Sequence, residues 1–156
     1  MAPSSKSSRA SEHTIRRRVQ FHETDAAGIV HFSCFFRYME EAEHALWRAA
    51  GMSISERTIP VGFPRVAASF DFKQALRFED EFDITIRIVE IADKTITYQC
   101  VLTRPRPIGD EGAVTAAPAL ATGSLTIICV TREPNMPMKA RSIPSEIRDR
   151  FEVWSA

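Results

Sequence analysis

The chain has 156 residues, of which 44% are hydrophobic and 26% charged, and its formal net charge is zero. That length supports one domain with its own core, and the neutral balance gives no electrostatic case for nucleic acid or an anionic membrane surface. No apolar run reaches the roughly 18 residues of a membrane span. Cys34, Cys100 and Cys129 are widely spaced with no C-x-x-C pair, which reads as buried, reduced thiols of a cytoplasmic protein rather than a disulfide framework.

Residues 1–13 are rich in Ser and Lys/Arg and lack the apolar segment of a secretory signal, so a disordered tail is expected there, followed by a single domain over 14–156. Thr14 to Phe21 reads as a first strand. Ile15, Val19 and Phe21 share one side, Arg16, Arg18 and Gln20 the other, and Arg17 interrupts the apolar side. An acidic turn follows, Glu23-Thr24-Asp25-Ala26-Ala27-Gly28, then the short apolar run Ile29-Val30-His31-Phe32.

The next segment is the only long helical pattern. Phe35, Met39, Ala42, Leu46 and Ala49 form one stripe widened by Phe36 and Trp47, with Ser33 as a candidate N-cap and Gly51 as the C′ residue. Arg37, Glu40, Glu41, His44 and Arg48 occupy the other faces, with Glu40 and His44 spaced to pair. Such a helix is about 27 Å long, enough to cross a whole sheet.

Four alternating segments follow, at 65–73, 82–88, 95–103 and 120–131. Clean alternation implies antiparallel strands. The nearly continuous apolarity of the last predicts burial on both sides or a subunit contact. Residues 104–118 read as a loop, and Pro144 opens a short terminal helix that reaches Phe151. The pattern predicts an α+β fold in which a curved, five-stranded antiparallel sheet wraps one long central helix. One sheet face then needs cover, so self-association is expected.

A carboxylate just upstream of a helix start sets a candidate base beside free backbone N–H groups. Asp25 and Glu23 both qualify, though an Asp in such a turn also bonds its own backbone, and Glu23 reads as a solvated turn residue. Glu40, Glu41 and Glu43 are further candidate carboxylates on the helix, expected mainly as a solvated or subunit-facing stripe. His31 either contacts substrate or packs at the helix start. Phe63, Ser69 and Phe70 are candidates for lining a substrate slot. His22, Asp25 and His31 match no standard zinc spacing, so no metal is expected, and Ser33 has no visible triad partners.

The run Val19-Gln20-Phe21-x-Glu23-Thr24-Asp25-Ala26-Ala27-Gly28-Ile29-Val30-His31-Phe32 resembles the signature of hotdog-fold thioesterases of the 4-hydroxybenzoyl-CoA thioesterase family. The likeness extends over residues 14–151 and includes Phe78-Glu79-Asp80 and Ile143-Pro144-x-Glu146-Ile147. It implies an acyl-CoA thioesterase with Asp25 as nucleophile or general base and the backbone N–H at Phe32 polarising the thioester carbonyl. Gly28 would let the backbone come close to substrate, and Lys94 would sit near the CoA phosphates. The resemblance implies a homodimer or homotetramer and no cofactor, the CoA thioester being the substrate. A hotdog hydratase or dehydratase using His31, and a non-catalytic acyl-thioester binder, are the alternatives.

Overall fold

The computed structural model describes residues 9–105 and 117–156. In chain order its elements are β1 (Glu12–Arg18), one turn of 3-10 helix (Phe21–Glu23), α1 (Cys34–Ala49), β2 (Val61–Gly62), β3 (Arg65–Phe72), β4 (Glu81–Ile91), β5 (Thr95–Thr103), β6 (Ala119–Ile128), β7 (Val130–Thr131) and α2 (Ser145–Arg148). Five strands form one sheet in the order β1-β4-β5-β6-β3, and β2 pairs with β7 in a small second sheet. Every pairing between these strands is antiparallel among the described residues. The sheet wraps α1, which is the hotdog arrangement expected from the sequence.

Burial follows the alternation. In β4 and β5, Phe82, Ile84, Ile86, Ile88, Ile96, Tyr98, Cys100 and Leu102 all point inward against α1 and are essentially inaccessible. The helix presents Phe35, Tyr38, Met39, Ala42, Leu46 and Trp47 to them. The Trp47 Nε1–H donates to the Tyr98 hydroxyl at 2.9 Å, which gives both buried aromatics a polar partner. The helix ends as its sequence predicts. Gly51 takes φ +83°, its N–H donates to the Arg48 carbonyl (2.9 Å), and the Met52 N–H donates to the Trp47 carbonyl (3.1 Å), the paired bonds of a Schellman motif.

Three boundaries differ from the sequence reading. The first strand runs from Glu12 to Arg18, so residues 12 and 13 pair with β4 rather than belonging to a tail. Phe21 lies beyond the strand and is 74% exposed. The apolar segment 120–131 is two strands: the chain leaves the main sheet at Cys129, and Val130 pairs with β2. Adjacent residues are therefore buried because the chain changes sheets there. Ser33 does not cap α1 with its side chain. Residues 1–8 and most of the expected 104–118 loop lie outside the described residues.

The two edge strands are each fastened to α1 by an arginine. Arg17 of β1 bonds Glu23 and Glu41, and Arg65 of β3 bonds Glu40 and Glu43. Arg17 thus stands on the inner side of β1 because it has carboxylates to meet there. Glu43 is fully buried, and desolvation raises its pKa while the Arg65 charge opposes the rise. The expected Glu40–His44 pairing gives way to Glu40–Arg65, at 3.2 Å.

Removing one partner of a buried pair strands the other charge. Arg65→Ala is therefore expected to lower unfolding free energy by about 3–5 kcal/mol. Arg16→Ala, which breaks a more exposed pair with Asp83, should cost below about 1 kcal/mol. Urea denaturation of both variants checks the contrast.

Candidate active site

The acidic turn is a miniature hairpin. Thr24 bridges Val30, the Asp25 N–H donates to the Ile29 carbonyl (2.9 Å), and the Gly28 N–H donates to the Asp25 carbonyl (3.0 Å). Gly28 takes φ +79°, the left-handed position that closes a three-residue hairpin loop. Asp25 Oδ1 accepts the Ala27 N–H at 2.8 Å, so the residue does form the Asx-type bond open to it. Its second oxygen accepts no hydrogen bond among the described residues. One oxygen fixes the side chain and the other remains available.

The hairpin runs directly into α1. The His31 N–H donates to the Glu23 carbonyl (2.8 Å), and the His31 carbonyl accepts the Cys34 N–H (2.9 Å). His31 Nδ1 lies 3.2 Å from the Ser33 N–H donor and 2.7 Å from Ser33 Oγ. The histidine itself thus occupies the start of the helix. Between these bonded donors the Phe32 N–H donates to nothing among the described residues. It is an orphan donor of the kind a helix N-terminus leaves behind.

Beside Phe32 opens a pocket of about 260 Å³ lined by Ile29, Val30, Phe32, Phe35 and Phe72, with Leu76 below and Lys73 and Gln74 also contributing. Its walls come from the hairpin, the helix start and the end of the edge strand β3. Asp25 does not line it but stands on the hairpin that supplies Ile29 and Val30. Cys34, beneath the same turn, is buried, and burial first and the Glu23 charge second push its thiol pKa up. A thiolate nucleophile is disfavoured there.

The other expected site residues lie elsewhere. Ser69 faces away from the helix, in a depression with Asp71, Gln99, Thr122 and Ser124, while its neighbour Phe70 points inward onto Phe35 and Phe36. Alternation along β3 separates the two. Phe63 packs half-buried against Trp47 (ring centroids 5.1 Å apart), toward the C-terminal half of α1. Lys94 is exposed at the β4–β5 turn, where its carbonyl accepts the Cys129 N–H. The β1–β4 register sets this turn at the opposite end of the sheet from the hairpin, about 30 Å along the strands. His31 is exposed and does not line the pocket.

Two residues were not anticipated in these roles. Glu23 is buried rather than solvated: it is 6% exposed, and Arg17 Nη1 donates to both of its oxygens at 2.7 and 2.6 Å. Desolvation works against its charge, yet the Arg17 hydrogen bonds and the Gln20 N–H hold its pKa below the ordinary value. The inward arginine in β1 was the available signal. Arg77, which bridges Ile29, brings its Nη1 within 3.9 Å of the point a Gly28 Cβ would occupy, and no ion pair engages it among the described residues. Of the helix carboxylates, Glu40 and Glu43 bond Arg65 and Glu41 bonds Arg17, so they tie strands to the helix.

The family model described as "Thioesterase-like superfamily" matches residues 19–151, from the end of β1 to the segment after α2. The chain belongs to the thioesterase-like superfamily. A "putative esterase" of Aquifex aeolicus is 38% identical over 88 residues, 56% of this chain and 69% of that protein. A 1,4-dihydroxy-2-naphthoyl-CoA hydrolase of Rippkaea orientalis is 33% identical over 94 residues, 58% of this chain and 68% of that protein. Among solved structures, 4-hydroxybenzoyl CoA thioesterase from Pseudomonas sp. superposes with a TM-score of 0.75, covering 90% of this chain and 99% of that one. At 19% identity it shows the shared fold alone. The proteins this chain is similar to include several named as hydrolases or thioesterases of CoA thioesters.

The sign of the Glu23 shift gives a test. A carboxylate whose folded pKa is depressed contributes stability above its unfolded pKa, and that contribution is lost as pH falls through the folded value. From its ordinary value of 4.5 downward, the Arg17–Glu23 contribution should fade. In Arg17→Met the buried carboxyl gains by protonating instead, so the melting temperature should fall less steeply between about pH 5 and pH 3 than in the parent. Thermal melts across that range read the difference.

Proposed function

We propose that the chain is an acyl-CoA thioesterase that hydrolyses an acyl-CoA thioester to the free acid and CoA. The observation that carries this reading is the orphan Phe32 N–H at the start of α1, joined by a few bonded residues to the unpaired oxygen of Asp25. Thioester hydrolysis needs a nucleophile or base at the carbonyl carbon and a donor for the oxygen as it gains charge. Asp25 is assigned the first task, as direct nucleophile or as base for water. The Phe32 N–H, aided by the positive end of the helix dipole, takes the second. The apolar pocket next to Phe32 is assigned to the acyl group, its Phe, Ile and Leu walls suiting a compact hydrophobic or aromatic acid. Gly28 lets the hairpin backbone lie close to the thioester.

Several features support a site completed by a second copy. Strand β3 is a sheet edge exposed along nearly its whole length, with Val66 at 57% and Phe72 at 49% exposure. Such an edge is a template for another strand. Antiparallel pairing of two β3 edges would set the Lys94 end of one copy against the Asp25 end of the other, so Lys94 of the partner subunit, with Arg77 of the same chain, is assigned to the CoA phosphates. The proposed state is a homodimer or a dimer of dimers, in the cytoplasm. Among the described residues no helix is long and apolar enough to cross a membrane. The hydratase alternative is disfavoured by the position of His31, which is exposed and does not line the apolar pocket.

Asp25→Asn is expected to leave the circular-dichroism spectrum and melting temperature close to the parent while abolishing thiol release from acyl-CoAs. Unchanged turnover in that variant would remove Asp25 from the mechanism. A parallel hydration assay separates the alternatives, since double-bond hydration indicates a hydratase and binding without either reaction indicates a binder. Arg77→Ala should raise KM about tenfold and leave kcat near the parent value, the pattern of lost ground-state binding.

A further inference from the structure

We infer that Glu23, clamped by Arg17, is a positioning residue that sets the distance between Asp25 and the Phe32 N–H. The inference rests on the hydrolase reading above and assigns that site a residue with no contact of its own to substrate.

Glu23 is bonded in two directions at once. Its carboxylate accepts both oxygens' worth of hydrogen bonding from Arg17 Nη1 and a third bond from the Gln20 N–H at 2.8 Å. Its backbone carbonyl accepts the His31 N–H at 2.8 Å and lies 3.6 Å from the Cys34 Sγ. The side chain therefore ties the turn to β1, and the main chain of the same residue ties it to the start of α1. Asp25 follows Glu23 by two residues and Phe32 follows His31 by one. The two proposed reactive groups consequently flank the His31 N–H to Glu23 C=O hydrogen bond, which closes the base of the hairpin that the Asp25 N–H to Ile29 bond closes nearer its tip.

Arg17 makes the anchor rigid. Besides holding Glu23, its Nε pairs with Glu41 of α1 at 2.7 Å and its guanidinium stacks over the Tyr38 ring at 4.7 Å. Tyr38 is fully buried, and its hydroxyl has no hydrogen-bond partner among the described residues. Strand, turn and helix thus meet at one guanidinium. A well-packed apolar cluster could hold these elements together as firmly, since a buried ion pair seldom outdoes its hydrophobic equivalent in stability. What the pair adds is direction: three short bonds fix the carboxylate, and so the carbonyl behind it, to one orientation. A displacement of about 1 Å at a reacting group can cost about 100-fold in rate.

The test is steady-state thiol release by the full chain, at a temperature where circular dichroism shows each variant folded. Glu23→Gln keeps shape and burial but weakens the clamp, and should lower kcat about 10- to 100-fold with KM within about threefold of the parent. Arg17→Lys, which cannot reproduce the guanidinium's geometry, should show the same split. If Glu23→Gln does not fold, Glu23→Asp, which keeps the charge on a shorter arm, reports the same kcat loss. Parent-like kcat in a folded Glu23 variant, or a loss carried by KM, overturns the inference. An active Asp25→Asn enzyme overturns the underlying reading instead, so the two failures are distinct.

Discussion

The constraint on which the structure depends is the burial of α1 inside the five-stranded sheet. A 16-residue helix surrounded this way must settle its terminal N–H and carbonyl groups locally. At the C-terminal end Gly51 and Met52 close the account of bonds through a Schellman pair. At the N-terminal end His31 satisfies the Ser33 and Cys34 donors, while the Phe32 N–H is left without a partner among the described residues. That asymmetry separates a merely structural helix from one able to stabilise an oxyanion. The hairpin carrying Asp25 abuts the open end, and the apolar pocket is walled by residues of both.

Charge is used sparingly inside the fold, and for one purpose. The two strands at the sheet edges, β1 and β3, each send an arginine inward to a buried carboxylate: Arg17 to Glu23, Arg65 to Glu43. Edge strands have a partner on one side only, so they need another means of fixing their position against the helix. The β1 clamp reaches the turn that carries Asp25. The β3 clamp holds the strand whose far end, at Phe72, walls the pocket. The packing of the sheet and the geometry of the site are therefore linked through four side chains.

The central helix, its glycine terminus and the alternating strands were legible because each follows from a local period and a local signal. The break at Cys129 was not, because a strand that changes sheets looks in sequence like one buried on both faces. The turn at Asp25 and the left-handed Gly28 were legible through turn chemistry. Glu23 was misread as solvated because its partner Arg17 is six residues away, on a strand whose inward side was otherwise apolar. Ser69 and Phe63 lie away from the pocket beside Phe32, on the outer face of the sheet and against Trp47. Proximity in sequence to Phe70 does not decide which face of β3 a residue occupies or which end of the helix it meets. Lys94 joins the site only if the site spans two copies, which no single-chain pattern records.

The most direct measurement is a crystal structure of the protein with a non-hydrolysable acyl-CoA analogue in which a ketone replaces the thioester. The account predicts the ketone oxygen within about 3 Å of the Phe32 nitrogen, the carbonyl carbon facing the free oxygen of Asp25, and the acyl group in the pocket between Ile29, Phe35 and Phe72. An analogue bound with its carbonyl away from the start of α1, against Glu40 or at the Ser69 face of the sheet, would contradict it.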